Sequence, residues 1–272
     1  MRVTCLQLET VWENRQANYA RAWRLLEAAA PPPGGLIVLP EMFATGFSMN
    51  VAAAAEGNAR PTEGFLAAVA CEYRCHVLGG LVSRAAGGRG RNEAVLYGPA
   101  GAELARYCKL HPFSYAGETE HYEPGGQVVV ADAAGAKLSP FVCYDLRFPE
   151  VFRAAARRGA EVLAVIANWP ASRQEHWTAL LRARAIENQA CVVGVNRCGA
   201  DPNVAYAGGS AVFGPRGEAV AAAGEGEQAL SAELDLSAVR TWRAEFPALR
   251  DVREEFFGSF GKRTDGDGCH TV

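Results

Sequence analysis

Along this chain, short apolar runs alternate with longer stretches whose apolar residues recur at helical spacing. Residues 3–8 read as a first strand, and 12–30, rich in Ala, Leu and Arg, as a helix stopped by Pro31-Pro32-Pro33-Gly34-Gly35. Residues 36–39 form a buried strand that runs into Pro40-Glu41. A helix over 62–73 precedes a strand at 76–83. After a Gly/Arg turn at 85–91, strands at 93–97 and 103–108 are joined by Gly98-Pro99-Ala100-Gly101. Strands at 128–131 and 138–143 follow, then a helix from Pro149 to Gly159. A strand at 162–167, a long helix over 172–189 and strands at 191–196, 210–213 and 229–235 complete the order. This mixture of β-α-β units and hairpins predicts a sheet-rich α/β domain with helices on the outer faces, not a purely parallel doubly wound sheet. One domain over 1–260 is expected, followed by a polar, Gly-rich tail at 261–272 that is expected to be mobile.

Composition narrows the classes. Of 272 residues, 49% are hydrophobic and 21% charged, with a formal net charge of −3. That balance gives no basis for nucleic-acid or anionic-membrane binding. No apolar run reaches the roughly 18–20 residues needed to cross a bilayer. Met1–Leu8 is too short and too alternating for a signal-peptide core, so a cytoplasmic location is expected. Eight cysteines in this length are not a disulfide framework. Cys71 and Cys75 share a helix face, but no second pair completes a zinc site. Free thiols in a reducing compartment are expected, with no metal.

Three apolar runs end on a reactive residue. Leu36-Ile37-Val38-Leu39-Pro40 delivers Glu41, Leu104-Ala105-Arg106-Tyr107-Cys108 delivers Lys109, and Leu138-Ser139-Pro140-Phe141-Val142 delivers Cys143. In open α/β sheets, reactive groups gather beyond the carboxyl ends of strands. Each residue alone has an ordinary reading: a buried core thiol, a turn glutamate, a surface lysine. Together they make an acyl-transfer set. Cys143 is a nucleophile, Glu41 a base if burial raises its pKa, and Lys109 with the Tyr144 N–H an oxyanion site. Of five histidines, His111 lies two residues beyond Lys109 and is a supporting candidate.

Leu39-Pro40-Glu41-Met42-Phe43, Tyr107-Cys108-Lys109-Leu110-His111-Pro112-Phe113 and Cys143-Tyr144-Asp145-Leu146-Arg147-Phe148-Pro149-Glu150 resemble, in order, the three signature blocks of the nitrilase superfamily of carbon–nitrogen hydrolases. The likeness continues through Asn168-Trp169-Pro170 and Arg182–Asn188, and so covers most of the chain. Within the superfamily, Glu41–Asn50, Ala116–Tyr122 and Ala167–Pro170 look most like the bacterial ω-amidases that hydrolyse 2-oxoglutaramate and 2-oxosuccinamate.

The resemblance implies a four-layer α-β-β-α sandwich and a Glu-Lys-Cys triad falling on Glu41, Lys109 and Cys143. It implies a second glutamate, for which Glu118 stands six residues before Pro124-Gly125, with Glu120 and Glu123 as rivals. No cofactor is implied. The implied substrate is a small amide, for which Phe43, Phe47, Tyr115 and Trp169 are candidate walls. Arg147, Arg173 and Arg197 are candidates for binding a substrate carboxylate. An N-carbamoyl-amine hydrolase or a nitrilase would carry the same triad, and a catalytically idle binding protein could share the fold. A face-to-face homodimer is also implied. Phe148, Val151 and Phe152 among the arginines of 147–158, and the Phe-rich stretch 246–260, are the segments expected to meet the partner.

Overall fold

The computed structural model describes residues 1–256. The tail expected from 261, with Phe257 and Phe260, lies outside the described residues. The chain begins with β1 (Arg2–Gln7), α1 (Arg15–Ala29), β2 (Leu36–Val38), the single turn α2 (Val51–Ala54) and α3 (Pro61–Tyr73). Then come β3 (His76–Arg84), β4 (Gly90–Tyr97), β5 (Glu103–Cys108) and the short α4 (Glu118–His121). The second half has β6 (Ala131–Ala133), β7 (Ala136–Val142), α5 (Pro149–Arg157), β8 (Val162–Ala167), α6 (Gln174–Asn188) and β9 (Cys191–Asn196). A hairpin, β10 (Cys198–Ala200) and β11 (Ala205–Ala207), precedes β12 (Ala211–Phe213), β13 (Ala219–Ala222), β14 (Gln228–Glu233) and α7 (Leu236–Glu245).

Two six-stranded mixed sheets result, in the orders β14-β1-β2-β3-β4-β5 and β13-β12-β9-β8-β7-β6. Strand alternation explains why they stack. In β2, Leu36 and Val38 join the core shared with the second sheet, while Ile37, and Leu39 just beyond the strand, join the core beneath α1 and α3. In β4, Ala94 and Leu96 face the first core, and Val95 and Tyr97 the second. β7, β8 and β9 are buried over nearly their whole length because α5 and α6 cover their outer side. The layers run α-β-β-α.

Three sequence expectations shift. The strand expected at 128–131 forms only from Ala131, because side chains satisfy the backbone before it. Arg158 donates to the Val128 carbonyl at 2.7 Å, and Ser139 Oγ to that of Val129 at 2.7 Å. The last strand ends at Glu233, and Asp235 instead caps α7 by accepting from the N–H groups of Ser237 and Ala238. In α5, Val151 and Phe152 are buried within the protomer, Phe152 stacking on Phe141 at 3.9 Å between ring centroids. They need no partner chain to cover them.

Candidate active site

The strand ends converge on one edge of the sandwich. Beyond β2 the chain turns sharply at Glu41-Met42, with Met42 at φ +42°. Gly80 of β3 lets this turn press onto the sheet. A Cβ there would stand 2.6 Å from Glu41 Cα and from the Met42 nitrogen. Lys109 follows β5 and is pinned on both sides, its N–H on the Asn92 carbonyl and its carbonyl on the Gly125 N–H, each at 2.8 Å. Cys143 follows β7 directly and opens a 3₁₀ turn over Cys143–Arg147, itself at φ +46°, a left-handed conformation that costs a non-glycine residue energy and lifts its side chain off the strand line.

Lys109 Nζ lies 3.0 Å from Glu41 Oε1 and 2.8 Å from Glu118 Oε2, and all three side chains are buried. Asn92 Nδ2 bridges the carboxylates, 2.6 Å from Glu41 Oε1 and 2.9 Å from Glu118 Oε1. Glu41 Oε2 accepts from the Asn168 backbone N–H at 2.8 Å and from its side-chain amide at 3.2 Å. Glu118 Oε2 accepts the Phe113 N–H. The Cys143 thiol donates to the Asn168 carbonyl at 3.8 Å. Asn168 thus touches both Glu41 and Cys143.

Two carboxylates facing one ammonium leave the buried cluster negative. Burial alone pushes the Glu41 carboxyl up. The Lys109 charge, with the hydrogen bonds from Asn92, Asn168 and Lys109, reverses that and leaves it below the ordinary glutamate value. The expectation that burial raises it therefore fails. Its ability to accept a proton comes from being anionic at neutral pH rather than from a raised pKa. Burial works against the Lys109 charge, but Glu118 and Glu41 outweigh it and raise its pKa. The Cys143 thiol is pushed well up by burial and by the Glu41 charge, so it rests as a neutral S–H. A proton passed from Cys143 to Glu41 leaves the charge of the cluster unchanged.

Cys143 lies in a cavity of about 160 Å³, with Lys109 and Asn168 also in its walls. Of the expected wall residues, Trp169, Phe47 and Tyr115 line it, Tyr115 at the mouth with 86% exposure, and the oxyanion candidate Tyr144 lines it too. Phe43 does not. It is fully buried on the other side of the first sheet, against Tyr19 and Phe65, because the turn at Met42 directs it toward α1 and α3. Arg147 and Arg173 line the cavity, leaning on Trp169 at 4.8 Å and on Phe113 at 5.6 Å from the ring centroids. Arg197 is buried instead, bonded to the carbonyls of Thr10, Cys198 and Ala200. Glu123 pairs with Arg89 and Arg91, and Glu120 is exposed, so Glu118 alone of the three rivals enters the buried cluster. His111 supports from outside, donating its N–H to Asp145 at 3.0 Å.

The sequence reading missed Asn92, Asn168 as a clamp, Asp145, and the cavity residues Phe113, Val204 and Tyr206. Asn168 stood inside a recognised motif. Asn92 gave no signal beyond being polar one position before an expected strand. Among the described residues, no group of three His, Cys, Asp or Glu is arranged to hold a metal ion.

The carbon–nitrogen hydrolase family pattern matches residues 2–244. A Yersinia enterocolitica protein named omega-amidase YafV is 41% identical over 261 residues, covering 93% of this chain and 96% of that protein. A 2-oxoglutaramate amidase of Bacillus subtilis is 30% identical over 94% of this chain and 98% of its own. Among solved structures, a CN-hydrolase superfamily protein of Xanthomonas campestris, with an arsenic adduct in its active site, superposes with a TM-score of 0.87. It is 33% identical and covers 93% of this chain and 97% of its own. The paired sheets, the buried lysine between two glutamates and these matches agree: the chain belongs to the carbon–nitrogen hydrolase family.

Proposed function

We propose that the protein hydrolyses the terminal amide of a small 2-oxo-acid ω-amide, such as 2-oxoglutaramate or 2-oxosuccinamate, to the acid and ammonia. The observation that carries the amidase reading is the Lys109 ammonium held between Glu41 and Glu118 at the wall of the cavity that contains Cys143. Glu41 takes the thiol proton as sulfur attacks the amide carbon. Lys109 and the Tyr144 N–H stabilise the oxyanion. The tetrahedral species collapses, the C–N bond breaks, and nitrogen leaves as ammonia with the proton from Glu41. Water then attacks the thioester, giving one proton to Glu41, and the acid departs as the thiol is restored. Glu118 holds Lys109 and orients the water.

The substrate class is supported by the two relatives named above and by Arg147 and Arg173 in the cavity wall. Neither is paired with a carboxylate among the described residues, and a planar guanidinium suits one. Ammonia release from a panel of 2-oxo-acid ω-amides, glutamine, asparagine, nitriles and carbamoyl amino acids tests the reading. The oxo-acid amide is expected to have the highest kcat/KM. A better nitrile or carbamoyl substrate would reassign the activity within the family.

A homodimer is part of the same proposal. Its support is the exposed apolar surface at Ile186 of α6, Phe246 and Phe256, and light scattering tests it. No helix among the described residues is long and apolar enough to cross a membrane. The free thiols among the described cysteines support a cytoplasmic setting, which cell fractionation tests.

A further inference from the structure

Asn92 sits in β4 opposite Val82 of β3, on the strand face that carries Ala94 and Leu96 into the core between the sheets. It is fully buried. One side-chain nitrogen serves both Glu41 Oε1 and Glu118 Oε1, and the backbone carbonyl of the same residue accepts the Lys109 N–H. A single residue therefore contacts all three charged members of the cluster. Its orientation is fixed by chemistry, since ionised carboxylates only accept and the amide must present its NH₂ to them. Asn92 Oδ1 is left buried without a hydrogen-bond partner among the described residues. An unpaired buried carbonyl is unfavourable and calls for a reason.

That reason lies in what two facing carboxylates do without a donor. Like charges at close range drive one carboxylate to keep a proton, which the pair then shares between its facing oxygens. Here the amide nitrogen occupies that place. Lys109 reaches Glu41 Oε1 and Glu118 Oε2, so its single charge is divided. Glu118 Oε1 has Asn92 as its hydrogen-bond donor. Were a proton to sit on Glu41 at rest, Cys143 would have no base.

We propose that Asn92 is a positioning residue: by inserting one amide nitrogen between Glu41 and Glu118 it offsets the repulsion between them, and so keeps Glu41 able to take the Cys143 proton. This rests on the amidase mechanism above, in which Glu41 is the base. Asn92 touches neither substrate nor thiol and acts through the carboxylates. Other titratable groups face Glu41 from the surrounding elements: Lys109 after β5, Glu118 on α4, Tyr122 just beyond it, and Cys143 after β7. Lys109, Tyr122 and Cys143 are each raised, while Glu41 lies below the ordinary glutamate value, so an acid limb reports the loss of the Glu41 charge and not a change at those three groups.

The test compares the wild type with Asn92→Ala, Asn92→Ser and Asn92→Asp in the full chain, each checked by near-UV circular dichroism. Two quantities are followed from pH 4 to pH 8: kcat and KM on 2-oxoglutaramate, and the rate of Cys143 alkylation by iodoacetamide, which needs no substrate. For Asn92→Ala or Asn92→Ser we expect kcat to fall about tenfold to a hundredfold, the loss of one hydrogen bond to a charged group. KM should stay within about threefold, and the acid limb of both profiles should move up by about one pH unit. Asn92→Asp, isosteric but lacking the NH₂, should be slowest near neutrality and recover as pH falls and the introduced carboxyl becomes a donor. Unmoved acid limbs in a folded variant, or a loss confined to KM, would overturn the proposal. If the wild type releases no ammonia from any amide, the functional reading fails by itself and the alkylation profiles still decide the role of Asn92.

Discussion

Tyr107 donates its phenol hydroxyl to Asp145 Oδ2 at 2.8 Å, and each stands two residues from a member of the proposed triad. Tyr107 precedes Lys109, and Asp145 follows Cys143. Asp145 also accepts the N–H groups of Val142 and His111 and pairs with the His111 ring at 2.8 Å, while that ring stacks on Phe148 at 3.7 Å. Burial pushes the Tyr107 phenol well up, and the Asp145 charge adds to it, so the hydroxyl stays a donor. The lysine-bearing and cysteine-bearing segments, on different sheets, are thereby locked together.

Removing the acceptor should cost far more than removing the donor. Asp145→Ala strands the buried Val142 N–H and Tyr107 hydroxyl and frees the part-buried His111 N–H and ring, so we expect a destabilisation of about 3–5 kcal/mol. Tyr107→Phe leaves Asp145 its other donors and should cost about 1 kcal/mol, with a several-fold loss in kcat. Urea unfolding of both variants checks this, and equal small effects would show that Asp145 does not organise the turn.

The proposed chemistry makes Cys143→Ala inactive and Glu41→Gln slower by at least about 10³-fold, because the base and the nucleophile act as one unit. Glu41→Gln keeps a neutral amide where the structure has a carboxylate. The buried Lys109 then retains Glu118 as its one anionic hydrogen-bond partner among the described residues. The variant should fold, and intact-mass spectrometry of wild type quenched during turnover should show an acyl adduct on the Cys143 peptide. An adduct elsewhere, or turnover by Cys143→Ala, would reject the mechanism.

Glu41, Lys109 and Cys143 each end an apolar run, but each alone reads as an ordinary residue, and the resemblance of three blocks in order is what grouped them as a proposed triad. Asn92 was not legible, because its role depends on which two loops fold over β4, and a lone polar residue at a strand start carries no such information. Phe43 failed for a related reason. Its nearness to Glu41 in sequence suggested a shared pocket, but the left-handed Met42 sends it to the opposite face. Arg147, Arg173 and Arg197 are indistinguishable as types. Only the fold buries the last one among backbone carbonyls. Strand and helix periodicity gave a sheet-rich α/β domain with outer helices, and the layer order came from the family resemblance, whereas α7 was obscured because Asp235 prolonged an apparent strand instead of announcing a cap.

Buried thiols set an alkaline limit on stability. Cys5 is pushed from 9.0 up to about 12 by burial, Cys191 also to about 12, and Cys198 to about 11. A folded value above the unfolded one means stability is fully present below the unfolded pKa and is lost as pH rises through the folded one. The window is therefore pH 9 to 12. Within it the unfolded chain sheds protons that the folded chain keeps, at about 1.4 kcal/mol per group and pH unit. Thermal unfolding should give a Tm that is flat from pH 7 to 8.5 and falls steeply by pH 10.5. A flat profile to pH 11 would contradict the burial of these thiols.

Substrate preference should separate from catalysis at Arg147. Its guanidinium lies over the Trp169 ring and within 3.3 Å of His176 Nδ1, two contacts that hold it at the cavity wall before any ligand arrives. A preplaced cation binds an anion with less ordering cost than a free one. Arg173 has a looser stack, at 5.6 Å from the Phe113 ring, and should contribute less. Arg147→Met keeps an apolar stem over Trp169 and removes the charge. We expect KM for 2-oxoglutaramate to rise about 10–100-fold, the worth of one charge-assisted hydrogen-bonded pair, with kcat within a few-fold. Propionamide, which has no carboxylate, should show nearly the same kcat/KM in both proteins. That comparison cancels any general damage to the cavity. If propionamide turnover falls as far as 2-oxoglutaramate turnover, Arg147 shapes the site rather than reading the carboxylate. If neither Arg147→Met nor Arg173→Met changes the oxo-acid KM, the anionic end of the substrate binds elsewhere.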